Sequence, residues 1–374
     1  MFLLTAVLLL TACSGVVASP TASPSPMAAG DGFDRRAMLE NVTTQVIVPA
    51  HESFVVVLAD LETAVATFTG DPNPATLTAV QEAWQTASLE RMALLPFRIG
   101  IIDNSLLHNR LDNRPPRAEF IEETILAGEQ AITSEYLDSI GSSSVGLGAM
   151  EYLLFDPVRG DTAVLATFTD ADDADRRRAL LLALAQNLHQ RGADLAQIWA
   201  AGGDNYAQAF IAADMDGGEL QGSLNMLVNQ MINDVEEIIS SRLGKPSGQR
   251  SNGMIRPDLV EAPYSQTSLP RIAATVAGMQ VAFNGGDGPG LDDYLDFLGA
   301  EYGSGLLSEA INAQFAASLA ALHAIDEPLE TAVQTDLPQV EAATEELQSL
   351  LVLLKVDMAN HLGVTLTFND NDGD

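Results

Sequence analysis

The run DDADRRRALLLALAQNLHQRGADLAQIWA, residues 172–200, decides the fold class. Its first turn is acidic, its interior is rich in Ala and Leu, and Gly202-Gly203 stands just beyond it. That order sets carboxylates against the positive end of a helix and a glycine stop at the other end. The same grammar recurs elsewhere. Between 74 and 96, Leu77, Val80, Trp84, Ala87, Arg91 and Leu94 or Leu95 form a stripe at helical spacing, opened by Asn73 and Pro74. Residues 218–243, 304–325 and 337–362 also read as helices, and strand-like alternation is confined to VTLTF at 364–368. The pattern predicts an all-α protein of two antiparallel helical bundles packed side by side.

Composition places the joints and excludes several functions. Gly141-Ser142-Ser143-Ser144, with Gly146 and Gly148, forms a flexible loop, and 156–175 is a turn-rich acidic connection. They divide the chain into a first bundle at 32–160 and a second at 172–374, the latter interrupted by a proline-rich loop at 245–265. Lys and Arg number 18 against 51 Asp and Glu, a formal charge of −33. Such a chain is no nucleic-acid binder, because phosphate contacts need clustered cations. With 47% hydrophobic residues it is too apolar to be a disordered acidic segment. The acidity reads as a solvated surface, which raises local cation concentration without conferring selectivity. One Cys permits no internal disulfide and no Cys-rich zinc site.

The N-terminus reads as an address. Residues 1–10 are almost wholly apolar, too short for a membrane span of about 20 residues and suited to the core of a signal peptide. No Lys or Arg precedes the run. It ends in Leu10-Thr11-Ala12-Cys13-Ser14, similar to the lipobox of bacterial lipoproteins, in which the Cys carries the lipid. The expectation is a signal peptide at 1–12, a lipid-bearing Cys13 and a Ser/Pro/Ala tether at 13–31. The body then sits outside the cytoplasm, in the periplasm or at the cell surface, with Ser14 pointing to the outer membrane in a cell that has two membranes.

Few residues carry chemistry. His51, His108, His189, His323 and His361 are scattered, no two of them three or four apart, which excludes helical zinc pairs. There is no GxSxG elbow, P-loop or strand-borne GxGxxG. The Gly285–Gly290 run reads as a helix connector, and the acidic tail at 370–374 as a solvated terminus lacking the late Glu of a calcium loop. The exception is Glu151, set in Gly146-Leu147-Gly148-Ala149-Met150-Glu151-Tyr152-Leu153-Leu154-Phe155. A carboxylate in such an apolar run is buried and needs a cation, an arginine such as Arg91 or Arg98, or a proton.

This segment resembles the signature of the imelysin family, Gly-x-His-x-x-Glu followed by apolar residues. Further matches follow in order: Pro49, Trp84, Phe97-Arg98-Ile99-Gly100, Ser241-Arg242-Leu243-Gly244-Lys245-Pro246, Glu261-Ala262-Pro263-Tyr264-Ser265 with Ser268-Leu269, and Leu362-Gly363-Val364. The resemblance covers about 33–374. It implies a two-bundle helical protein, often a lipoprotein or periplasmic, associated with iron acquisition and nominally classed as a metallopeptidase. It also implies a site between the bundles, built from the Gly-x-His-x-x-Glu turn and the Glu-x-x-x-Ser loop. Here the family's His falls at Gly148, as in the iron-regulated, IrpA-like branch. Without the imidazole, a metal is left to carboxylates, which suit hard cations.

Three readings follow. In the first, the protein binds iron or another divalent or trivalent cation, bare or as a complex, through Glu151 and Asp103, with Arg98, Gly146, Gly148, Glu261 and Ser265 forming the site. In the second, it is a metallopeptidase with Glu151 as general base and His108 or His51 as ligand. In the third, Glu151 is a structural ion pair and the helical surface meets a partner such as an outer-membrane iron or haem receptor.

Overall fold

The computed structural model describes residues 32–213 and 222–367. The signal stretch, Cys13, the tether and the acidic tail at 370–374 lie outside the described residues. Eight long helices carry the architecture. They are α1 Arg35–Gly70, α2 Pro74–Ala93, α3 Gly146–Leu154, α4 Ala174–Trp199, α5 Ser223–Glu237, α6 Ser268–Asn284, α7 Leu307–His323 and α8 Leu337–Val352. Wider turns extend α5 through Ile238–Leu243 and α8 through Leu353–Met358.

Local signals act where the sequence puts them. The Asn73 side chain accepts from the backbone N–H groups of Ala75 and Thr76, and Thr76 returns the favour to the Asn73 N–H, with Pro74 at the first helical position. Such a cap stabilises a helix start by about 1 kcal/mol. Residues 285–290 connect α6 to the short helix Leu291–Phe297, and Asn41 of α1 ties that loop down through the carbonyls of Gly285 and Pro289 at 2.7 and 3.0 Å.

Packing runs as a continuous series of neighbours. α4 lies along α1, α1 along α2, α2 against α6, α6 against α7 and α7 against α8. By length and composition alone α1 would suit a membrane crossing. Its stripe of Phe54, Leu58, Leu61, Val65 and Phe68 is buried, with α4 and α2 packed on it, as in the core helix of a globular body.

Two expectations need correction. The second bundle was placed from 172 onward, yet α4 packs on α1 and α3. The connection at 156–175 therefore carries the short helix Asp161–Thr169 and returns the chain to the helices it came from, and the described residues from Phe33 onward form one compact unit. The VTLTF segment is no strand through residue 367. Its backbone is met by side chains instead: Asn225 accepts from Thr365 N–H, and Asn229 accepts from Thr367 N–H and donates to the Thr365 carbonyl. Among the described residues the one sheet is a small hairpin, β1 Glu301–Tyr302 with β2 Gly305–Leu306.

Candidate functional site

Helix α3 starts where only glycine fits. Gly146 has φ +69°, and an added Cβ would run into the carbonyl oxygens of Arg110 and Leu111. The chain before α3 thus lies directly on the 110–114 loop. Gly148 faces the same loop, and a Cβ there would sit 3.0 Å from the Asn113 carbonyl oxygen. Trp84 of α2 fixes the turn by donating its indole N–H to the Leu147 carbonyl at 3.0 Å.

These contacts deliver Glu151, which is 0% exposed, to the segment before α6. Its Oε1 accepts from Ser265 Oγ at 2.7 Å, Ser265 N at 2.9 Å and Tyr264 N at 3.2 Å, and its Oε2 accepts from Arg114 Nη1. Arg114 also donates to Asp112 at 2.8 Å and to the Glu261 carbonyl at 3.1 Å, with its guanidinium over the Trp84 ring. Asp112 accepts from Arg271 at 2.6 Å, and Glu261 accepts from Arg271 at 2.9 Å and Arg242 at 2.6 Å. Charges thus alternate along Glu151, Arg114, Asp112, Arg271, Glu261 and Arg242. The ladder pins together α3, the extension of α5, α6 and the loop segments that carry Asp112, Arg114 and Glu261.

Electrostatics follow the alternation. Burial pulls the Asp112 carboxyl upward, but Arg114 and Arg271 outweigh it and hold it well below the usual carboxylate range. Glu261 is lowered against its burial by Arg242 and Arg271. Burial works against the charge of Arg271, yet Asp112 and Glu261 raise its pKa further.

Beside this ladder opens a cavity of about 430 Å³. Six basic side chains line it, Arg91, Arg98, Arg114, Arg242, Lys245 and Arg271, a third of all Lys and Arg in the chain. Four acidic ones join them, Asp112, Glu237, Asp258 and Glu261. His108 lines it too, its pKa lowered by burial and then by Arg98 and Arg91, so it adds no charge at neutral pH.

The expected site residues separate. Ser265 bonds Glu151 directly, Glu261 lies one arginine away, Gly146 and Gly148 shape the turn, and Arg98 lines the cavity. Asp103 does not join Glu151: its side chain is 55% exposed and pairs with Arg98 at 3.2 Å. Nor is the partner of Glu151 Arg91 or Arg98; it is Arg114 from a loop that no helical pattern marks. His51 is no ligand, being buried in the aromatic core near Phe97 and Trp199 and bonded to the Ile47 carbonyl at 2.8 Å. Burial brings its pKa down to about 4. Asp112, Arg114 and Arg271 were not singled out by the sequence. Arg271, the lone charge in an otherwise apolar helical stretch, carried the available signal.

The Imelysin family model matches residues 47–357. The chain belongs to the imelysin family. Among solved structures it is similar to an iron-regulated protein A precursor from Parabacteroides distasonis, with TM-score 0.71 and 19% identity over 89% of this chain and 97% of that one. An imelysin-like protein from Psychrobacter arcticum is similar at TM-score 0.71 and 18% identity, covering 89% of this chain and 96% of that one. At these identities the likeness shows the all-α imelysin fold. No curated protein matches.

The residues do not fit a metal at the imelysin signature. Both oxygens of Glu151 are engaged by N–H or O–H donors, and its side-chain neighbour is a guanidinium, which repels a cation. The buried side-chain atoms around the cavity without a hydrogen-bond partner, Arg91 Nε, Arg98 Nε, Arg114 Nη2 and Arg242 Nε, are all donors. Among the described residues no three His, Cys, Asp or Glu side chains converge on one position.

Proposed function

We propose that this imelysin-family protein is a lipid-anchored, extracytoplasmic binding protein of iron acquisition and that it does not hydrolyse peptides. One observation carries the reading: Glu151, the acidic residue of the signature turn, is used up by structural bonds while the cavity beside it is lined by cations. A general base must reach a water or a substrate proton, and Glu151 is fully buried. Iron on this reading arrives within an anionic complex, because a bare cation would face guanidinium groups. The iron association draws support from a structural relative described as an iron-regulated protein A precursor. The anchor draws support from Leu10-Thr11-Ala12-Cys13.

A second reading has its own observation. Met254, Ile255 and Leu259 are exposed on the loop that contributes to the cavity wall, an apolar rim suited to contact with an outer-membrane receptor.

Elemental analysis and titration of the processed protein with Fe³⁺, Zn²⁺, Ca²⁺ and a ferric carboxylate complex, beside a protease assay on an unfolded protein, test the proposal. Saturable uptake of the complex, no stoichiometric bare metal and no cleavage are expected. Stoichiometric zinc with hydrolysis that Glu151→Gln abolishes would overturn it. Metabolic labelling with palmitate, lost in Cys13→Ser, tests the anchor.

A further inference from the structure

Arg91 sits on α2 with 4% of its surface exposed, and it forms no hydrogen bond or ion pair with the described residues. A buried guanidinium without a partner is unusual, since it is a fork of five donors that must otherwise face solvent or a carboxylate. Its neighbours are differently placed. Arg114, Arg242 and Arg271 are each ion-paired with one or two of Asp112, Glu151 and Glu261, so the buried ladder sets three arginines against three carboxylates. Arg91 is the charge left over, at the cavity wall. Burial brings its pKa down to about 10, partly offset by Asp112, so it remains a cation at neutral pH.

Two further cations at the cavity are only loosely engaged. Arg98 reaches the exposed Asp103, and Lys245 is itself exposed. Across the whole lining, six basic side chains face four acidic ones, an excess of two positive charges in a chain whose net charge is −33. A cavity of about 430 Å³ lies in the ~300–1,000 Å³ range of organic-ligand sites and exceeds the needs of a single inorganic oxyanion. Met92, Leu95 and Val260 supply apolar wall between the charges, which a carbon skeleton matches and a phosphate ion does not.

We infer that this cavity is a binding site for a small organic anion with at least two carboxylate groups, anchored on the Arg91 fork and balanced by Arg98 and Lys245. The planar guanidinium accepts a carboxylate through two parallel N–H···O bonds. The inference deepens the binding role proposed above and rests on it for the location of the site, while it holds for the anion with or without bound iron.

Calorimetric titration of the full processed protein with iron-free citrate tests it, beside acetate and inorganic phosphate at matched ionic strength. Citrate is expected to bind one-to-one, and at least tenfold more tightly than acetate or phosphate. Arg91→Gln should weaken citrate at least tenfold. Lys245→Gln, on an exposed side chain that does not touch the core, should weaken it two- to threefold, which keeps the test decisive if the Arg91 variant fails to fold. No saturable citrate binding, unchanged affinity in both variants, or phosphate binding as tight as citrate would overturn the inference. Citrate binding with no gain on adding ferric ion would remove the iron association alone; uptake of a ferric complex by protein that ignores iron-free citrate would remove the anion site alone.

Discussion

Glu151 and Arg91 are both buried charges within one network, and the structure treats them in opposite ways. Glu151 receives four hydrogen bonds, from a guanidinium, a hydroxyl and two backbone N–H groups. Arg91, which can only donate, makes none among the described residues. Since an unpaired buried charge costs several kcal/mol while a fully bonded one holds distant segments in register, the first is architecture, and the second is the anchor of the anion site inferred above. The acidic residue of a signature turn can thus serve a fold as a clasp.

The sharpest way to break the contrast is Glu151→Ala. It leaves Arg114 unpaired and orphans the N–H groups of Tyr264 and Ser265, and should lower stability by about 3–5 kcal/mol, read as a shift in the urea midpoint. Next comes restoration of the imelysin His. Gly148→His must push against the Asn113 carbonyl, 3.0 Å from where the Cβ would lie, and should cost about 1–3 kcal/mol without conferring zinc-dependent cleavage in a protease assay. Zinc-dependent activity in that variant would erase the distinction between clasp and catalyst.

Acid acts on the ladder with a smaller, graded effect. Asp112 and Glu261 have depressed native pKa values. Between the native values and the unfolded ones near ~4, the unfolded chain binds more protons than the folded one, so their stabilisation is complete above about pH 5 and fades as pH falls toward 2. Denaturant midpoints should hold from pH 6 to 5 and fall steadily from there down to pH 3. Asp234 works in the other direction. Burial, only partly opposed by Arg98, pushes its carboxyl up to about 7, and its Oδ2 has no partner. Here the folded state binds the extra proton, so stability falls as pH rises through 7. Asp234→Asn should flatten the curve between pH 5 and 8, read from the same midpoints.

Much of the fold was legible because helix signals are local. Asn73 with Pro74, the Ala/Leu interior of α4 and the glycines after 199 mark their elements without knowledge of the rest. What the sequence misplaced was spatial: the polar stretch before α4 looks like a boundary, and only the packing of α4 on α1 reveals a connection within one body, carrying the helix Asp161–Thr169. The site divides in the same way. The burial of Glu151 and the part of Ser265 were readable from an acid in an apolar run and from family motifs. Arg114 was not, because a loop has no periodicity to show which way it faces. Nor was the freedom of Arg91, because an unpaired charge is defined by partners that come from 20 to 180 residues away. Asp103 was misassigned for the converse reason, since a carboxylate near a motif in sequence turned out to face solvent.

The central claim, that one buried charge holds the fold and the other awaits a ligand, is tested most directly by scanning calorimetry on Glu151→Gln and Arg91→Gln in ligand-free buffer at pH 7. Glu151→Gln is expected to lower the unfolding temperature and Arg91→Gln to leave it equal or raise it. A comparable fall in both would contradict the claim, because Arg91 would then be as much a part of the architecture as Glu151.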